Sequence, residues 1–288
     1  MNALAAESAP GFPELVAELR ARLAEVRASI RAACERAGRP PSSVRIVGVT
    51  KKRPPELVRA AVMVGLTDLG ENRVQEMLAK MEAVDLSSDA ADEATSAGSV
   101  EPRGLGGRVV NWHLVGRLQR NKARDVVGRA VLVHSLDRTS LGNELSRRAE
   151  QAGVVQRVLV QVNVAGDPAK SGCSPDRLVG LVTHVRSRPN LVVEGLMTMP
   201  PLPAAGVDPG QAARPYFARL RELRDKVREE FPEVTHLSMG MSGDFEVAIE
   251  EGATIVRLGT ALFGPRPDEP YRASSREPSE GRMPEEDR

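Results

Sequence analysis

Aromatic side chains are scarce in this sequence. Five phenylalanines, two tyrosines and one tryptophan make up 3% of 288 residues. A core built on stacked rings is excluded, so Val, Leu, Ile, Ala and Met must fill the interior. Cysteine is scarcer: Cys34 and Cys173 lie far apart, with no CxxC or Cys/His spacing. They read as free thiols in a reducing compartment, not as a disulfide or zinc site, and no metal is expected. Charge of one sign is also lacking. Forty basic residues face thirty-nine acidic ones, which leaves no basic field of the kind nucleic-acid binders need. No apolar run reaches the ~20 residues of a membrane-spanning helix. Met1 to Pro10 lacks the basic-then-apolar order of a signal peptide. A cytoplasmic protein without nucleic-acid or membrane partners is expected.

What is present is alternation. A long helix is predicted over Pro13 to Ala37, where Leu15, Leu19, Leu23, Val26 and Ile30 recur at three- and four-residue spacing. Gly38-Arg39-Pro40-Pro41 stops it. Strands are then predicted at Arg45–Thr50, Asp68–Gly70, Asn111–Val115, Val131–Ser135, Arg157–Val164, Val192–Met199, His236–Met239 and Ile255–Leu258. Helical patterns separate them: Pro55–Gly65, Arg73–Val84, Asn121–Val127, Leu141–Ala152, Pro175–Arg186, Ala212–Glu230 and Phe245–Glu251. This is an α/β chain with a parallel sheet. Eight strands after an extra N-terminal helix predict a single (β/α)8 TIM barrel over residues 11–264. An open doubly wound sheet is the runner-up, but no Gly-x-Gly-x-x-Gly follows the first strand. Residues 85–107 are Ser-, Ala-, Asp-, Glu- and Gly-rich and read as a flexible insertion. Residues 265–288 read as a disordered tail.

In such a barrel the site is built at the carboxyl ends of the strands. Lys51 stands there after the first strand, before Pro54 turns the chain. An amine at a barrel mouth is a candidate for carbonyl chemistry by a Schiff base. Lys52 reads as its solvated neighbour. Ser242 and Gly243 open a predicted helix, Gly259 and Thr260 follow the last strand, and Arg257 adds charge. Backbone N–H groups and hydroxyls in these last two loops suit a phosphate. Each also has a plainer explanation, an N-cap for Ser242 and a tight turn for Gly259. Glu71 reads as a helix-start carboxylate, His113 as a hydrogen-bonded core residue, and Lys170 as a solvated loop lysine or a second amine on the rim. A lysine opposite a phosphate cradle suits a ligand bearing both an aldehyde and a phosphate. Pyridoxal 5′-phosphate (PLP) and sugar phosphates both qualify.

Longer motifs carry a family resemblance. They are Gly48-Val49-Thr50-Lys51-Lys52-Arg53-Pro54, Gly70-Glu71-Asn72-Arg73-Val74-Gln75-Glu76, and Trp112-His113-Leu114-Val115-Gly116-Arg117-Leu118-Gln119-Arg120-Asn121-Lys122. Gly195-Leu196-Met197-Thr198-Met199, Leu237-Ser238-Met239-Gly240-Met241-Ser242-Gly243-Asp244 and Arg257-Leu258-Gly259-Thr260-Ala261-Leu262-Phe263-Gly264 complete the set. Together they span about Leu15 to Gly264 and resemble the pyridoxal phosphate homeostasis proteins, whose fold is like the N-terminal barrel of alanine racemase. The resemblance implies PLP held as an internal aldimine on Lys51. It implies a phosphate held by Ser242, Gly259 and Thr260, with Arg257 near the ring nitrogen or phosphate and Asn72 near the ring. Met239 joins this cofactor-binding set. An arginine at the ring nitrogen keeps it unprotonated and weakens the electron sink. The resemblance therefore implies a PLP carrier or regulator in vitamin B6 homeostasis, not an enzyme. It is expected as a monomer that could serve PLP-dependent apoenzymes. A fold-type III PLP-dependent amino-acid racemase is the alternative. Its second domain and partner-subunit tyrosine are not expected here, since only Tyr216 and Tyr271 exist.

Overall fold

The structure, a computed structural model, describes residues 11–85 and 109–265. The expectations of a flexible insertion and a disordered tail fall almost entirely outside those residues.

Helix α1, Phe12–Arg36, forms first along the chain. The Gly11 N–H donates to Glu14 Oε2 at 2.8 Å, which closes its start. Leu19, Leu23, Val26 and Ile30 form its buried stripe. Gly38, at φ +63°, ends it in the left-handed region that favours glycine. The stripe packs on α2 (Pro55–Met63), α7 (Phe245–Glu250) and α8 (Thr260–Phe263).

The strands are β1 (Arg45–Val49), β2 (Asp68–Glu71), β3 (Asn111–Leu114), β4 (Leu132–Leu136), β5 (Gln156–Gln161), β6 (Leu191–Met197), β7 (His236–Ser238) and β8 (Ile255–Leu258). They pair in parallel in chain order, and β8 returns to β1 to close the barrel, with Val47 opposite Arg257. The intervening helices are α3 (Val74–Asp85), α4 (Thr139–Ala152), α5 (Leu178–Arg186) and α6 (Pro209–Glu230). Two apolar layers result. The larger lies between sheet and helices. The smaller fills the barrel axis with Val47, Val115, Leu132, Leu159, Met197 and Ile255, against which Val49 packs.

The differences from the sequence-based expectations are local. Arg120–Asp125 is a 3₁₀ segment, not an α-helix: only Ala123 in it is buried, so no apolar stripe demands full α turns. The helix expected from Pro175 begins as a 3₁₀ turn, Pro175–Arg177, and becomes α only at Leu178. Strand β5 stops at Gln161 because the loop beyond folds back, with Val162 bridging Cys173. Gly172 permits this. At φ +126°, a Cβ there would lie 2.6 Å from the Asn163 nitrogen. Helix α6 starts three residues early, since the Asp208 side chain accepts from the Gln211 N–H at 2.8 Å and Pro209 fills the first turn.

Candidate functional site

Side chains alternate along a strand. Val47 and Val49 face the barrel axis, and Lys51 follows half-buried in the turn just past β1, at the carboxyl end of the barrel. The turn that follows is clamped from below. The Thr50 hydroxyl donates to Glu71 Oε1 at 2.5 Å. Lys80 Nζ donates to Thr50 O at 2.6 Å, to Glu71 Oε1 at 2.6 Å and to Glu76 Oε1 at 2.9 Å. All three ammonium protons are thus used. Glu76 also accepts from the Lys52 N–H, and Lys52 takes φ +58° as the chain turns outward.

This corrects the reading of Glu71. It ends β2, is fully buried, and serves the Lys51 turn instead of a helix start. Burial pushes its carboxyl pKa up, while the bonds from Lys80 and Thr50 pull it back. Lys80 was missed in the sequence. Its only signal was the four-residue spacing from Glu76, which also describes any solvated helix pair.

The loops after β7 and β8 meet across the rim. Ser242 Oγ accepts from the Ala261 N–H at 3.0 Å. Ser242 does not open a helix: α7 begins at Phe245, with buried Asp244 at the cap position. Asp244 Oδ1 accepts from the Met241 N–H at 2.5 Å, and burial raises its carboxyl pKa. Gly259 precedes the short helix α8, so Thr260, read as loop, is its first residue, and its side chain is exposed. Gly240 needs its missing side chain. Its φ is +92°, and a Cβ would lie 2.6 Å from the Ala248 Cβ.

Arg257 lies beneath these loops, fully desolvated. Its Nη1 donates to Ser238 Oγ at 2.7 Å and its Nη2 to Thr198 O at 3.0 Å. No carboxylate lies within ion-pair distance among the described residues. Burial lowers the guanidinium pKa to about 10, with Asp244 opposing, so it remains a cation at neutral pH and seeks an anion.

Behind it runs a chain of buried polar groups. Ser238 Oγ meets His134 Nδ1 at 2.9 Å, His134 Nε2 meets His113 Nδ1 at 3.0 Å, and His113 Nε2 meets Asp68 Oδ1 at 3.0 Å. Burial, reinforced by His113 and Arg257, holds the His134 pKa well below the ordinary histidine range, so its ring is neutral. Arginine only donates and an ionised carboxylate only accepts. The chain thus has a fixed donor, Arg257, at one end and an acceptor, the Asp68 carboxylate, at the other. The sequence placed His113 in a hydrogen-bonded core but offered no sign of His134.

The remaining candidates divide. Asn72 is exposed just past β2, pressed by Gly116, whose added Cβ would lie 2.1 Å from the Asn72 carbonyl oxygen. Met239 points its side chain into the layer between sheet and helices, and its N–H donates to Ile255 O at 3.1 Å. Met239 is thus committed away from the mouth, while Asn72 stays exposed at the end of β2. Lys170 is half-buried and donates to Pro200 O at 2.9 Å, so it joins two rim loops instead of standing in solvent.

The profile of the family described as Alanine racemase, N-terminal domain, matches residues 21–267. The Pyridoxal phosphate homeostasis protein of Aquifex aeolicus is 45% identical over 247 residues, which cover 85% of this chain and 97% of that one. This chain belongs to the pyridoxal phosphate homeostasis protein family. Solved structures agree. PipY of Synechococcus elongatus PCC7942, without PLP, matches at TM-score 0.69 and 32% identity, over 85% of this chain and 100% of that one. The PLP-bound form matches at 0.68 and 29%, over the same shares. Alanine racemase of Clostridium difficile 630 shares the fold alone: TM-score 0.63 at 14% identity, over 88% of this chain and 58% of that one. The (β/α)8 barrel is thus common to both lineages, while sequence similarity lies with the homeostasis proteins.

Proposed function

We propose that this protein binds pyridoxal 5′-phosphate at the carboxyl end of its barrel and serves intracellular PLP homeostasis. The observation that carries the reading is the PLP-bound PipY structure, which this chain matches over that protein's full length. The site fits such a ligand on its own chemistry. Arg257 is a buried cation with no anion beside it among the described residues. The hydroxyls of Ser242 and Thr260 and the Gly259 backbone line the facing loops. They suit a phosphate, and Lys51 supplies an amine. In this reading Arg257 lies by the ring nitrogen or phosphate and Asn72 beside the ring. When bound, PLP supplies an aldehyde and an electron-withdrawing ring.

Carrier rather than catalyst is the reading of the arginine. Arg257 offers only donors, and the hydrogen-bonded chain behind it leads away from the mouth toward Asp68. It can hold a ring nitrogen but cannot leave it protonated, which weakens the electron sink that racemisation needs. Relatives named as homeostasis proteins support this. The protein then acts as a monomeric cytoplasmic reservoir from which PLP-dependent apoenzymes draw. The purified wild type should show an absorbance band at the visible edge, and Lys51→Ala should lose it. No band in the PLP-treated wild type, or an equal band in the variant, would overturn the assignment.

A further inference from the structure

The opposite end of the barrel holds a cleft of about 400 Å³, between α1 and the first residues of β1 and β2. Its floor is apolar, with Ile30 and Leu66, and its walls carry Arg27, Arg31 and Arg45. Arg27 and Arg31 lie four residues apart on one face of α1, and neither makes a hydrogen bond or ion pair among the described residues. Arg45 has only a long pairing, 3.9 Å from its Nε to Asp68 Oδ1. The cleft thus gathers three guanidinium groups against one carboxylate, and that carboxylate is already held by His113. Guanidinium groups match phosphate and carboxylate oxygens with paired donors, and the volume suits a small molecule.

Asp68 is also the last member of the hydrogen-bonded chain that begins at Arg257. Each histidine is engaged at both ring nitrogens along this chain. We infer that the cleft binds a small oxyanion, a phosphate or a carboxylate, and that Asp68, His113, His134 and Ser238 connect its occupancy to Arg257. An anion between Arg27, Arg31 and Arg45 draws Arg45 from Asp68. The carboxylate then leans harder on His113, and each donor along the chain is polarised in turn. Only the final link, from Arg257 to PLP, rests on the function proposed above. The cleft and the chain do not.

The test is calorimetric titration of inorganic phosphate, and separately succinate, into the full chain at low salt. PLP-free protein should show two phosphate events, at the mouth and at the cleft, and PLP-loaded protein one. The double variant Arg27→Ala/Arg31→Ala should weaken the cleft event at least tenfold and spare the mouth. Tighter phosphate or tighter succinate, when lost in the double variant, identifies the head group. Binding unchanged in that variant overturns the site. The chain has four histidines, so imidazole ¹⁵N shifts report the relay directly. His113 and His134 should move with the cleft event in wild type, and that movement should be missing in Arg27→Ala/Arg31→Ala and in Asp68→Asn. Static signals in a wild type that binds phosphate overturn the coupling. If the cofactor reading alone fails, no visible band forms, yet the cleft event and the imidazole shifts remain.

Discussion

At the scale of single residues, His134 has a consequence beyond the site. Its folded pKa lies well below its ordinary 6.5, chiefly through burial. The unfolded chain therefore takes up a proton that the folded protein refuses. This contribution to stability is complete above pH ~6.5 and is lost as pH falls, at up to about 1.4 kcal/mol per pH unit. His236, lowered by burial, acts in the same sense. Glu71 and Asp244, raised by burial, act oppositely, since their folded forms bind protons more readily. The difference between proteins isolates His134. His134→Gln should show a shallower loss of stability between pH 6.5 and 5 than wild type, measured by urea unfolding at each pH. Parallel curves would contradict a neutral buried imidazole. The place of Lys51 just past a strand was legible at this scale, because a strand followed by a proline marks its own end. Lys80 and His134 were not legible. Each has a defining partner far along the chain, Thr50 at 30 residues from Lys80 and Ser238 at 104 from His134, and no spacing rule reaches so far.

At the scale of elements, α1 stands outside the eightfold repeat yet carries seven buried residues against α2, α7 and α8. Its place is fixed by the packing of that amphipathic face. Leu23 is 2% exposed within that seam. Leu23→Ala should cost about 2–5 kcal/mol, read from the denaturant midpoint, with the visible band retained in the protein that remains folded. A loss under about 1 kcal/mol would mean that α1 is not part of the cooperative core. Element type was legible wherever period and punctuation agreed, as in α1, β1 and α6. It failed at Arg120–Asp125 and Thr260–Phe263, where segments of six and four residues hold too few turns to display a period.

At the scale of the whole molecule, charge ties the outer helices together. Glu250 accepts from Arg36 of α1 at 2.7 Å and from Arg214 of α6 at 2.5 Å, and Arg214 also reaches Glu251 at 2.8 Å. The clasp is partly exposed and screened. Glu250→Gln should lower stability by less than about 1 kcal/mol, and the difference should shrink at molar salt, read as a change in melting temperature. An effect that grows with salt would refute an electrostatic origin. The sequence alone determined the class of the fold, the number and order of the strands, and the end of the barrel at which Lys51 stands. Those follow from local pattern, since hydrophobic period and turn residues act within a few positions. Only the tertiary structure decided what surrounds that lysine. Barrel closure sets Val47 of β1 opposite Arg257 of β8 and threads Asp68, His113, His134 and Ser238 through one interior. Residues from six strands meet there because the sheet closes on itself, and closure is a property of the whole barrel.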